Sequence, residues 1–264
     1  MIKTFLWELS RRKMFALWWS IGVSVLVSIT VLSFLAIKDE AAQLNQALSG
    51  IADTAGSFLG GSDLFSPIGY LSSQIYFILL PILVIIMTVN LASSLMSKDE
   101  SDLTVELVLS RPVSRKHLMF GKLLAWLGIL FIVFVVSYIV AAICVKIVDM
   151  PINQWNLLLT HALSFVFSAS FGLITFALIA VSRLTRHLAG VVAIVLSLGG
   201  YVISSLSGFV DGFKFIAKLL PYHYYDTVQM LSGKVDSGLT VYLVGITVVA
   251  LIAMSVGYSR RDIG

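Results

Sequence analysis

Between Ser97 and Leu124 the chain reads SKDESDLTVELVLSRPVSRKHLMFGKLL, placing Asp99, Glu100, Asp102 and Glu106 beside Lys98, Arg111, Arg115, Lys116 and Lys122. Only 12% of the 264 residues are charged, so this is a concentration of ionisable groups. Their types suit salt bridging and docking better than bond breaking, because no activated nucleophile stands among them. Elsewhere the candidates are sparse. His161 is the one histidine near a helix interior and reads as a packing or interfacial residue, while His117, His187 and His223 lack metal-ligand spacing. His223 near Asp226 makes half of a catalytic pair that no nucleophile completes. Gly121-Lys122 lacks the upstream glycine and the following Ser or Thr of a phosphate-binding loop. The residues point to no catalytic site, no metal site and no nucleotide site within the chain.

The elements that must position the charged run are membrane spans. Hydrophobic residues make up 58% of the sequence, an excess that calls for lipid as the solvent. Six apolar runs reach the roughly 20 residues that a bilayer demands. They cover about 14–37, 71–96, 123–145, 157–181, 188–206 and 239–258. The fold class expected is therefore an all-α membrane protein with one transmembrane domain over residues 1–264. The first run is too long for a signal-peptide core and lacks a small-residue cleavage site, so it reads as an uncleaved helix.

With the N-terminus inside, 13 of the 18 Lys and Arg fall on the cytoplasmic side. The positive-inside rule thus places both termini in the cytoplasm. This asymmetry accounts for the net charge of +4 through a membrane rather than a nucleic acid. None of the 14 Asp and Glu, and no Lys or Arg, lies inside these six runs. Ion-coupled pumps keep ionisable groups in the membrane, and their absence argues against an autonomous proton- or sodium-coupled carrier. The single cysteine, Cys144, cannot form an intrachain disulfide.

Residues 1–13 carry Ile2, Phe5, Leu6 and Leu9 at helical spacing, with Lys3, Glu8, Arg11 and Arg12 as polar positions. This pattern predicts a short helix lying in the inner interface. The loop of about 38–70 contains a helical stretch over 40–48 and breaks at Gly60-Gly61 and Pro67. Residues 207–238, which include Tyr222, Tyr224 and Tyr225, are semi-apolar and predict a re-entrant-like segment with its tyrosines at the outer headgroup level. Ser20, Ser24 and Ser28 repeat at four-residue spacing, as do Ser164, Ser168 and Gly172, and Gly200, Ser204 and Gly208. Such ridges allow close helix packing, a subunit interface or a hydrated pathway. Pro81 predicts a kink in the second run.

In the charged loop, Ser97 and Glu100 fit a capping box at the start of a short helix. Leu103 and Leu107, and Val105 and Leu109, give that helix its apolar spacing, and Pro112 ends it at Arg111. Ser114 is then placed to cap the helix leading into the third span. This pattern resembles the permease subunits of type-2 ABC exporters. The resemblance rests on Glu100, on LTVELVLS from Leu103 to Ser110, on Pro112-Val113-Ser114-Arg115, and on Gly121-Lys122-Leu123-Leu124. It extends to Leu220-Pro221-Tyr222, Gln229-Met230-Leu231-Ser232-Gly233 and Arg260-Arg261-Asp262-Ile263. Asp102-Leu103-Thr104 departs from it, since the family often has glycine before this threonine.

The resemblance implies that residues 97–122 hold a coupling helix seated in a separate cytoplasmic ABC ATPase, two ATPases serving each complex. Leu103, Leu107 and Pro112 would shape that contact, with Glu100, Asp102, Glu106, Arg111 and Arg115 as its polar complement. ATP and magnesium would be bound by the partner ATPase, with no cofactor in this chain. A second permease copy or paralogue would complete the pathway, lined from this side by Ser20, Ser24, Ser28, Gln74, Asn90 and Ser204. The resemblance also implies outward transport across a prokaryotic cytoplasmic membrane, and the charge-free spans suit an amphipathic or apolar cargo such as a drug, lipid or peptide. The alternatives are a non-transport immunity or anchoring subunit, and an intramembrane enzyme, which the absence of acid–base or nucleophilic sets in the spans disfavours.

Overall fold

The computed structural model describes residues 2–48, 56, 58–61, 63–101, 115–181 and 186–260. Its regular elements are all helical among the described residues. In chain order they are α1 (Ile2–Arg11), α2 (Lys13–Ser33), α3 (Ala41–Leu48), α4 (Pro67–Leu71), α5 (Leu79–Ser101) and α6 (Arg115–Ile147). They continue with α7 (Gln154–Val181), α8 (Arg186–Leu206), α9 (Asp211–Ala217), α10 (Thr227–Leu231) and α11 (Ser237–Arg260). Six segments are long and apolar enough to cross a membrane: Lys13–Ala36, Pro67–Met96, His117–Ile147, Gln154–Val181, Leu188–Leu206 and Ser237–Gly257.

α7 lies at the centre, packed against α5, α8 and α11, while α2 lies along α6. The small-residue ridge of α7 explains its place. Ser164 and Ser168 are fully buried, and a Cβ at Gly172 would meet Trp126 Cζ2 at 2.5 Å and Thr88 Cβ at 3.0 Å. Trp126 in turn donates from Nε1 to the Thr88 carbonyl at 3.0 Å, so three spans meet where only glycine fits. On α2, Ala16, Ser20, Val23, Val27 and Val31 form the buried stripe, while Leu17, Trp18, Ile21, Val25 and Ile29 on other faces are exposed. A helix apolar all round, buried on one side only, is what lipid as solvent permits.

The second span is not one uniform helix. Ser66 caps α4 by accepting from the Gly69 amide at 3.1 Å, and Pro67 takes the first helical position. A π-helical stretch, Ser72–Tyr76, follows before α5 begins at Leu79. Pro81 lies just inside α5. Having no N–H to bond back one turn, it places the break on the residues before it, and its own carbonyl accepts from Ser168 Oγ at 3.3 Å.

Several sequence expectations change here. Ser97 does not start a helix: α5 runs unbroken to Ser101, so the Ser97–Glu100 box lies inside a helix rather than at its start. The third span is entered without a turn, because α6 is one helix of 33 residues, roughly 50 Å long at 1.5 Å per residue. Lys122 therefore lies within the third span, where it is buried. Glu8 and Arg12, expected on the polar face of α1, are turned inward. Tyr222 and Tyr225 do not face outward. Both are buried, with the Tyr225 ring stacked on Phe167 at a centroid distance of 4.2 Å. The exposed apolar side chains of this region belong instead to α9 and its flanks, namely Phe209, Val210, Phe215, Ile216 and Leu219.

Candidate functional site

The chain bends between α1 and α2 at Arg12, whose backbone leaves the helical region at φ −111° and ψ 14°. Its guanidinium is drawn into the protein. Nε donates to Glu8 Oε2 at 3.2 Å and Nη1 donates to Ser94 Oγ, on α5, at 2.7 Å. Glu8 is 1% exposed and Arg12 9%, and Arg12 Nη2 is enclosed without a hydrogen-bond partner. On the neighbouring turns of α1, Phe5 and Leu9 fit over Gly128 of α6. The N-terminal helix is thus held to the second and third spans at the end of the bundle where α5 runs on to Ser101.

A second polar centre is formed by the π-helical stretch and α6, α7 and α10. His161 is fully buried, with Tyr76 Oη at 3.2 Å from Nδ1 and Ser137 Oγ at 2.9 Å from Nε2. Ser137 donates onward to the Val133 carbonyl at 2.7 Å, which leaves its oxygen to accept from His161 Nε2–H and Nδ1 to accept from Tyr76. Tyr225 Oη lies 2.6 Å from Ser164 Oγ and 2.9 Å from the Tyr76 carbonyl, and Ser72 is hydrogen-bonded to Thr227. Burial pushes the Tyr225 phenol well above its ordinary value, only partly opposed by the Ser164 hydrogen bond. His161 is therefore the packing residue its sequence setting implied, joining the second, third and fourth spans.

Among the described residues no group of His, Cys, Asp and Glu is arranged to hold a metal ion. Compared with known protein families, residues 11–263 match the model of the ABC-2 family transporter protein. The chain belongs to the ABC-2 transporter family. With six apolar spans it is a multi-pass membrane protein and a permease, the membrane component of a transporter. No curated protein and no solved structure matches the chain.

The permease's sequence-predicted coupling residues Asp102, Leu103, Glu106, Leu107, Arg111 and Pro112 lie outside the described residues. Glu100 falls in the last turn of α5, and Arg115 is the first residue of α6. The six pathway candidates differ in exposure. Ser20 is buried, and Ser24, Ser28 and Ser204 are half-buried. The Oγ atoms of Ser20, Ser24 and Ser204 are enclosed without a hydrogen-bond partner, and Ser28 Oγ donates to the Ser24 carbonyl at 2.8 Å. Gln74 and Asn90, both in the second span, are exposed. The Glu8–Arg12–Ser94 set was missed from the sequence. Its signal was the four-residue spacing of Glu8 and Arg12, which places opposite charges on one helical face.

Proposed function

We propose that this ABC-2 permease works as one of two membrane subunits, a homodimer or a pair of paralogues, that enclose an export pathway for an amphipathic or hydrophobic cargo. Two cytoplasmic ABC ATPases, which bind ATP and magnesium, engage the region 97–122. Closure of the ATPases drives that region and switches the pathway from inward- to outward-facing. The host membrane is a prokaryotic cytoplasmic membrane with both termini inside, in keeping with the distribution of Lys and Arg. The observation that carries the reading is the family match over residues 11–263.

Two features support its finer parts. The six spans contain no Asp or Glu to carry a coupling proton or sodium ion, although Lys122 is buried in the third, and this favours energy supplied by another chain. Asn90 is exposed six residues inside the end of the second span. A side-chain amide facing hydrocarbon costs several kcal/mol, on the order of 4–8 by alkane transfer, so a second permease or a hydrated pathway accounts for it better than lipid does. The test is reconstitution with the cognate ATPase and with a hydrolysis-dead form of it. Transport or resistance lost with the dead ATPase supports the reading. Function that survives would instead identify a passive immunity or anchoring subunit.

A further inference from the structure

At the end of the bundle opposite the termini, a cavity of about 720 Å³ opens between the 60–69 segment and the 222–232 segment. This falls within the roughly 300–1,000 Å³ typical of small-molecule sites. Its wall is built rather than incidental. Tyr222 and Tyr225 are held by Phe167, at ring-centroid distances of 4.8 and 4.2 Å, and Phe77 stands on another side. Gly60 adopts φ +79°, and a Cβ there would meet Phe77 Cγ at 2.4 Å, so a glycine lets this wall close onto the ring.

Two carboxylates share the lining, and each is fixed by neutral donors. Asp63 accepts from the Asn45 side-chain amide. Asp226 caps α10, accepting from the Gln229 backbone amide at 3.0 Å and from Gln229 Nε2 at 2.7 Å. No lysine or arginine lines the cavity among the described residues. Of the other titratable side chains in the lining, Tyr222 and Tyr225 are buried phenols and His223 is exposed. Two fixed negative charges beside aromatic faces in a recess concentrate negative potential, and aromatic faces themselves attract cations.

We propose that this cavity binds an organic cation with an apolar body, the charge held by Asp63 and Asp226 and the body seated against Phe77, Tyr222 and Val228. The assignment goes beyond the transport reading and does not depend on it, because binding here needs neither an ATPase nor a second permease.

The test uses the full-length permease in detergent micelles, with empty micelles as the blank and no ATPase present. Tetraphenylphosphonium is titrated against its isosteric anion tetraphenylborate. Saturable binding of the cation is expected, and an affinity at least about tenfold lower in Asp63→Asn with Asp226→Asn. Asparagine still caps a helix and still accepts from Asn45 and Gln229, so this variant keeps the fold. Asp211→Asn, at the same end but outside the cavity, serves as the control and should leave affinity unchanged. Val228→Trp should abolish binding by filling the space without altering charge. Equal affinity for the two probes, or wild-type affinity in both the Asn pair and the Val228 variant, overturns the proposal. Binding of the cation, together with cellular function that survives the hydrolysis-dead ATPase, would leave this site standing and sink the transport reading alone.

Discussion

Arg12 Nη1 donates to Ser94 Oγ at 2.7 Å, joining the bend between the first two helices to the helix that continues to Ser101. The same guanidinium holds Glu8, so one side chain ties α1, α2 and α5 together at the bundle end that carries the charged loop. Removing one member of a buried ion pair leaves the other charge enclosed, which typically costs about 3–5 kcal/mol. Arg12→Gln should destabilise the detergent-solubilised protein by an amount of this order. Ser94→Ala should cost less, about 1.5–3 kcal/mol for a hydrogen bond to a charged group. Thermal unfolding of both variants, of Glu8→Gln and of the double combinations tests the linkage. Strictly additive losses would show that the three groups do not act as a unit.

At Gly172 the geometry makes a sharper steric demand. An added methyl would stand 2.5 Å from Trp126, a buried ring whose Nε1 is fixed to the Thr88 carbonyl. Overpacking of this kind costs about 1–3 kcal/mol, so Gly172→Ala should lower the unfolding midpoint and Gly172→Val should lower it further. At Gly22 and Gly245 an added methyl would meet nothing within 4 Å, and Ala at either should change the midpoint little. A Gly172→Ala protein as stable as the parent would show that Trp126 can move aside and that the α5–α6–α7 contact does not depend on glycine.

The comparison between sequence and fold turns on what the solvent signal can encode. The six spans were legible because hydrocarbon demands long apolar runs, and the ridge Ser164–Ser168–Gly172 was legible as a packing surface because small residues repeat on one helical face. Helix ends were not. Ser97-x-x-Glu100 satisfies a capping pattern, yet a serine three residues before a glutamate is equally compatible with a helix interior, and α5 passes straight through it. The tyrosines around Pro221 misled for a related reason. An amphipathic ring suits either a headgroup layer or a buried site with a polar partner, and Ser164 and the Tyr76 carbonyl supply that partner to Tyr225 only once the chain has folded back. Of the expected coupling residues, six lie outside the described part, so their reading still rests on sequence.

The headgroup role expected of the tyrosines is better suited to α9 and the residues that follow it. Phe215 and Leu219, four residues apart, are 74% and 66% exposed, and Lys214 and Lys218 are exposed beside them. Apolar and cationic side chains interleaved on a short helix and the turn after it favour a lipid interface. In a Cys144→Ser background, a fluorophore at Phe215→Cys should be quenched by lipids brominated on their acyl chains, and one at Gly212→Cys should be quenched much less. Equal, weak quenching at both positions would place α9 in water.

Raised phenols carry a pH consequence. Tyr222 and Tyr225 have folded-state values above the ordinary tyrosine value, chiefly through burial. A raised value means that the neutral form is favoured in the fold, so this contribution is complete below about pH 10, the unfolded tyrosine value, and is lost as pH climbs beyond it. The unfolding midpoint should therefore fall steeply above that pH, and the fall should be shallower in Tyr222→Phe. An alkaline limb identical in the two proteins would assign it to other groups.

The coupling proposal is tested by charge. Glu106 and Arg115 lie in the region expected to meet the ATPase, one on each side of Pro112. Reversing both, Glu106→Arg with Arg115→Glu, keeps the net charge and the apolar residues Leu103 and Leu107, so membrane insertion and the unfolding midpoint should remain those of the parent. Contacts that depend on local charge pairing should weaken, because a like-charge juxtaposition at a protein interface costs several kcal/mol. Stimulation of ATP hydrolysis by the reconstituted permease should then drop at least about tenfold, a loss corresponding to about 1.4 kcal/mol or more. Substitution of Lys214, at the opposite end of the bundle, should leave stimulation intact. If the charge-reversed protein inserts normally and couples as well as the parent, the ATPase is not seated on these residues.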